Sequence, residues 1–195
     1  MQSGPLAPGL LLAAPPLGDP NFSRSVVLLA THGQDGSLGW VVNGQEIAPV
    51  ARLLRDAGVA AEGVELPDTA AYQASARVGG PVSPHSAWVL YRRGPSWQHS
   101  GEIVVSEHWA ASGDRSIIEA IARGEGPADF RMVLGYAGWA PEQLDQEIRV
   151  GAWMPASMDE DVVFGADGNE MWTQAYARLV GVSPYAFTGL RPGSA

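Results

Sequence analysis

The chain has 195 residues, 46% of them hydrophobic, and a net charge of −9 from 21 acidic and 12 basic side chains. It is long enough to bury one core as a single domain, and its acidity repels phosphate backbones, so direct nucleic-acid binding is not expected. All twelve bases are arginine and cysteine is absent, which excludes Schiff-base and P-loop lysines, thiol nucleophiles, disulfides and cysteine-ligated zinc.

The first apolar run, residues 10–14, is stopped by Pro15 and Pro16 and has no arginine before Arg24. It is too short to span a membrane and lacks the basic flank of a secretory signal, so it reads as an N-terminal strand of a cytoplasmic protein. A breaker-rich turn over 16–22 leads to a β-branched strand over 25–31. His32 to Gly36 reads as a hairpin turn with Asp-Gly as its signal, and 37–43 as the returning strand. Ile47, Val50, Leu53, Leu54 and Ala57 recur at helical spacing, predicting an amphipathic helix that Gly58 ends. A surface connection over 62–69, a strand over 74–78 and the Gly79-Gly80-Pro81 turn follow. Further strands are expected over 87–91 and 102–106, joined by a loop over 92–101. Ser112-Gly113-Asp114 offers caps for a helix over 115–123, with Ile117, Ile118 and Ile121 turned inward.

The stretch from Arg131 to Trp153, RMVLGYAGWAPEQLDQEIRVGAW, organises the rest. Met132-Val133-Leu134 is the run of a buried strand, and Gly135 and Gly138 around Tyr136 suit a sharp exit from a sheet. Pro141 fits the first position of a short helix with Glu142 in its first turn and Leu144 and Ile148 on one face. Gly151 then stops the helix and a strand resumes at Ala152-Trp153-Met154. Beyond it, Gly165 to Asn169 reads as a turn, 171–180 as a last helix, and the residues from Ser183 as a loose tail.

These residues resemble the AlgH/YqgE family of bacterial proteins. The resemblance is carried by GYAGW-A-PEQLDQEI and GAW, and by DPNF-SRSVVLL, H-x-x-DGSLG, VVN and GGPV in the same order. It covers nearly the whole chain. After Asn43 the family typically continues Arg-Pro, whereas Gly44-Gln45 stands here, so a role resting on that arginine is not carried over. The resemblance implies a mixed-sheet α+β fold and a binding or regulatory protein, one branch being linked to transcriptional regulation.

The element pattern points the same way. Strands outnumber helices and helices fall irregularly between them, which predicts an α+β fold: a mixed, curved or barrel-like sheet flanked by three or four helices. No G-x-S-x-G, H-E-x-x-H, P-loop or G-x-G-x-x-G motif is present. His32, His85, His99 and His108 match no standard ligand spacing, so no metal and no cofactor is expected. His99-Ser100 and Ser106-Glu107-His108 place serine, histidine and an acid together in sequence, but strand neighbours point to opposite faces, so they do not make a catalytic pair by themselves. Gly79-Gly80 suits either a tight turn or an anion-binding nest. Asn43 suits either a bridge between loops or a ligand contact, and the tryptophans suit a core or an exposed partner surface. The expected functional surface comprises His32, Asn43, Gly79, Gly80, Pro81, Tyr136, Trp139 and Gln143. It serves a non-enzymatic regulator meeting a protein partner or a small anionic ligand. The alternative is an enzyme holding a small anionic substrate at Gly79-Gly80, with His32 or His85 as acid or base.

Overall fold

The computed structural model describes residues 6–94, 97, 101–165 and 168–187. In chain order it contains β1 Gly9–Ala13, β2 Val26–Gly33, β3 Gly36–Val41, β4 Glu46–Pro49, α1 Val50–Asp56, α2 Ala70–Gln73, β5 Ser75–Val78, β6 Val82–Arg92, β7 Ile103–Val104 and β8 Trp109–Ser112. There follow α3 Arg115–Ala122, β9 Phe130–Trp139, α4 Gln143–Arg149, β10 Trp153–Ser157 and α5 Gly168–Ala175. The fold is α+β, as expected. The strands pair antiparallel except for β5 and β9, which run parallel, so the sheet is mixed. Its order is β10-β1-β2-β3-β9-β6-β8-β7, with β5 also on β9 and β4 on β5. This path does not close on itself, so the barrel alternative is not realised; β7, with only two residues, is too short to carry the ladder onward.

Two compact units divide the chain: residues up to Gly44 together with those from Ala137, and Gln45–Tyr136. In the first, β1 lies between β2 and β10, and all five of its residues are buried. That is why residues 10–13 read as one continuous apolar run instead of alternating. The core of this unit gathers Leu11, Val27, Leu29, Val41, Ala137, Trp139, Leu144 and Trp153. The carbonyl of Ala13 closes its far side by accepting both the Trp172 indole N–H at 2.9 Å and the Tyr176 hydroxyl at 3.1 Å. In the second unit, Val50, Leu54, Tyr72, Val89, Tyr91, Ile117, Ile121, Phe130 and Met132 form a separate core. Asp114 caps α3 by accepting the Ser116 N–H at 2.7 Å, the role its sequence position suggests.

Several boundaries differ from the sequence reading. Residues 46–49, expected as the start of a helix, form β4, because Glu46 and Ala48 pair with Arg77 and Ala76 across the sheet. The helix begins only after Pro49. Gly135 and Gly138 do not end β9. Gly138 pairs with Leu38 in extended backbone, and Gly135 kinks the strand with φ +75° without breaking it. Glu142 has left-handed backbone (φ 62°) just before α4, so Pro141-Glu142 forms a turn and the helix starts two residues later than expected. The short elements α2 and β8 went unforeseen, and 176–180 forms a π-type turn in place of regular α-helix. Five α-helices thus replace the expected three or four among the described residues. The expected turn over 165–169 is described only in part, and the tail only as far as a 3-10 turn at Pro184–Phe187. His99 and Ser100 lie outside the described residues.

Candidate functional site

Within Gln45–Tyr136, α1 and α3 stand over β6 and β9 and leave a cleft of about 580 Å³. Ala87, Met132 and Leu134 form its floor, Leu53, Leu54, Ala57 and Val59 one wall, and Ile118 the other. Its polar groups are His85, Arg115 and Glu119, the last two joined by an ion pair of 2.7 Å. Helix geometry explains why α3 contributes an apolar side chain here. Ile117 and Ile118 are adjacent and project about 100° apart, so they are not buried equally. Ile117 is fully buried, whereas Ile118 is half-buried, packing against the edge of the core and lining the cleft. On α1, Leu54 is buried in the core and also lines the cleft, the half-buried Leu53 does both as well, and Ala57 lines the cleft from an exposed position. The sequence places these residues on core-facing sides, and Leu53, Leu54 and Ile118 do pack in or against the core while also lining the cleft.

Tyr136 departs from this floor. Along a regular strand it would share the face of Leu134, two residues earlier. The positive φ of Gly135 intervenes, and β9 shifts register against β6 between Val82 and Ala87. The Tyr136 ring accordingly meets Trp88, with centroids 6.3 Å apart and planes at 71°.

Gly79 and Gly80 are buried, and their lack of side chains is a packing requirement. A Cβ on Gly79 would lie 2.5 Å from the Gly135 carbonyl oxygen, and one on Gly135 would lie 2.4 Å from that of Gly80. The Gly79 N–H is spent on the Leu134 carbonyl at 2.6 Å, so it does not face an anion. Pro81 is exposed at the following turn. The cleft lining includes His85 and neither glycine.

The remaining expected residues lie in the other unit, where the signature stretch forms a latch. Trp139 at the end of β9 and Trp153 at the start of β10 donate their indole N–H groups to Oε2 of Glu147, at 2.9 and 2.8 Å. Gln143 donates to Oε1 at 2.9 Å and accepts the Ala140 N–H at 3.0 Å. Phe22 stacks against Trp139 and meets Trp153 edge-on. Trp139 and Gln143 are therefore brought together, by a glutamate that sequence reasoning did not single out. Asn43 is a bridge: its Oδ1 accepts the Val26 N–H at 2.7 Å, and its Nδ2 donates to the Arg24 carbonyl at 2.9 Å. Arg24 has φ 56°, and this pair of bonds holds that left-handed turn at the start of β2.

His32 joins a line not foreseen from sequence. Its Nδ1 lies 2.9 Å from Ser37 Oγ, and its Nε2 lies 3.5 Å from Asp145 Oδ1. The residue types are those of a serine-hydrolase triad. However, Ser37 is buried and paired in the sheet with both His32 and Trp139. A nucleophile must reach a substrate carbonyl from an open site. In this setting the line ties the β2–β3 hairpin to α4.

One more buried polar group belongs to the second unit. Tyr91 donates its hydroxyl to Glu102 Oε2 at 2.5 Å, and Arg93 donates two bonds to Oε1 at 3.0 and 2.8 Å. Burial pushes the Tyr91 phenol far above its ordinary value, and the bond to Glu102 adds to the effect.

A family model described as AlgH-like matches residues 10–184, spanning both units. The chain belongs to the AlgH-like family. Its relatives include a UPF0301 protein of Anaeromyxobacter sp. (strain K), 41% identical over 186 residues, with 93% of this chain and 91% of that one covered. The UPF0301 protein SPO0296 of Ruegeria pomeroyi is 38% identical over 178 residues, covering 89% and 90%. Among solved structures, the AlgH protein from Pseudomonas aeruginosa matches with a TM-score of 0.72 and 30% identity over all of both chains. Protein DIP2367 from Corynebacterium diphtheriae matches with a TM-score of 0.70 at 20% identity, covering 91% and 89%, a likeness of fold alone. The matched range contains both the latch of Trp139, Gln143, Glu147 and Trp153 and the residues of the cleft.

Proposed function

We propose that this AlgH-like chain is a cytoplasmic, non-enzymatic binding protein that holds a small apolar molecule in the cleft between α1 and α3. Its regulatory effect, transcription included, is then exerted through a protein partner and not by contact with nucleic acid. The carrying observation is the cleft: a concavity of about 580 Å³ lined by apolar side chains of α1, α3, β6 and β9 together with His85, Arg115 and Glu119. Ligand pockets are built that way, in that size range. Arg115 and His85 are the groups that would meet an anionic end, so the favoured ligand is a hydrocarbon carrying a carboxylate or a similar group. The charge of −9 supports the indirect route to transcription, because it opposes a phosphate backbone at long range. No helix among the described residues is long and apolar enough to cross a membrane.

Isothermal titration of the full chain with decanoate tests this reading. Saturable binding that is lost in Ala57→Trp, whose indole would fill the cleft from an exposed position, is the expected result. The absence of binding by folded protein would overturn it, as would binding that Ala57→Trp leaves unchanged.

A further inference from the structure

A second cavity, of about 380 Å³, opens beside the Trp88–Tyr136 pair. Its lining is of another kind. Besides the two rings it includes Ser112, Gly113 and the carboxylate-bearing Asp114. The rings meet at 71° and form an aromatic corner, with both side chains half-buried. Gly113 holds the backbone flat against Trp88: a Cβ there would lie 3.3 Å from three atoms of the indole ring. Asp114 is fixed as well. It caps α3 through Oδ1, and its own N–H donates to Ser112 Oγ at 3.1 Å.

We propose that Trp88, Tyr136 and Asp114 form a binding site for an organic cation, an alkylammonium group. Aromatic faces attract cations through the ring quadrupole, most strongly in Trp, and quaternary ammonium groups are recognised by rings set at an angle to one another. A carboxylate fixed beside such a corner supplies the opposite charge, and a volume near 380 Å³ suits a small ligand. The acidic chain raises the local concentration of cations of any kind. The rigidity of the corner matters equally. Trp88 is held by its stacking on Gly113 and Asp114 by its cap, so little ordering remains to oppose binding. The site is separate in chemistry from the apolar cleft. Gly135 makes this possible, by turning Tyr136 away from the face that Leu134 occupies.

The shared chemistry admits two sources: a free small amine, or the same group carried on a protein side chain. The test uses the full chain and three probes. Choline is titrated against 3,3-dimethylbutan-1-ol, which has the same shape without the charge, with binding followed by Trp88 and Tyr136 side-chain NMR shifts. Choline is expected to bind at least about tenfold more tightly than the neutral alcohol. Asp114→Asn keeps the cap on α3 while removing the charge, and is expected to weaken choline about tenfold with no change in α3 or in the alcohol's binding. Tyr136→Phe, which keeps the ring, should retain choline, whereas Tyr136→Leu should lose it. Equal binding of choline and the alcohol would overturn the proposal, as would unaltered choline binding in Asp114→Asn. A trimethyllysine peptide binding more tightly than choline assigns the site to a protein side chain; no gain over choline assigns it to a free amine.

Discussion

Trp139 and Trp153 meet edge to face with ring centroids 5.9 Å apart, and both donate their indole N–H groups to one oxygen of Glu147. Both tryptophans are buried, so neither N–H has water to fall back on. An indole N–H left unsatisfied in a core costs about 1–3 kcal/mol. Glu147→Ala is therefore expected to destabilise the chain by about 2–6 kcal/mol, a range that counts both orphaned donors. Urea denaturation followed by tryptophan emission measures it. Glu147→Gln, which keeps one acceptor oxygen, should lose clearly less.

Gly135 and Gly151 separate two costs that are usually merged. Both have positive φ, +75° and +78°. A Cβ on Gly151 meets nothing within 4 Å, whereas one on Gly135 would collide with the Gly80 carbonyl oxygen at 2.4 Å. Gly151→Ala is expected to cost only the left-handed strain, about 1–2 kcal/mol. Gly135→Ala should cost at least about 1 kcal/mol more, as overpacking adds to it. Denaturation midpoints of the two variants, compared at one temperature, check the difference.

Alkaline pH gives an unusually clean prediction, because the chain has neither lysine nor cysteine. Tyrosines are then the side chains that titrate between about pH 9 and 12. Burial raises the phenols of Tyr72, Tyr91 and Tyr176, which favours their neutral forms in the folded state. A group with a raised folded value binds more protons when folded than when unfolded in that window. Its contribution is complete below about pH 10, the unfolded value, and is lost as pH rises toward the folded one. Stability is expected to hold from pH 8 to 9 and to fall steadily above 10. In Tyr91→Phe the slope above pH 10 should be shallower. Urea midpoints across this range test the sign and the slope together.

Asn43 offers a graded test of its bridging role. Asn43→Ala removes both of its hydrogen bonds, to the Val26 N–H and the Arg24 carbonyl. It should cost about 1–3 kcal/mol. Asn43→Asp keeps the acceptor and loses the donor, so its melting temperature should fall between those of the wild type and Asn43→Ala. Equal melting of all three would show that the bridge contributes nothing to stability.

Much of the fold was legible because apolar runs and caps are local signals. β1, β2 and the Asp114 cap of α3 could be read from a few consecutive residues. Ile47 misled because its spacing to Val50 and Leu54 fits a helix, and only the pairing partner β5 makes residues 46–49 a strand. Trp109–Ser112 was invisible for another reason: three small residues after one tryptophan carry no periodicity. Tyr136, Trp139 and Gln143 stood out as residue types, yet the acceptor joining the last two, Glu147, resembled any solvent-facing glutamate on a short helix. The cleft was harder still. Leu53, Ala87, Ile118 and Met132 come from four separate elements, and each alone is an ordinary apolar residue.

The place of β1 bears on how the chain is made. Its hydrogen-bonding neighbour β10 and the donors to Ala13, Trp172 and Tyr176, all come from the last part of the sequence. On the ribosome, Leu10, Leu11 and Leu12 emerge well before residues 153–176 and wait for them with one ladder edge unpaired. An apolar strand in that state invites pairing with other nascent chains. The folded protein hides these three leucines, so their exposure belongs to synthesis and to unfolding, and slow translation should lengthen the first.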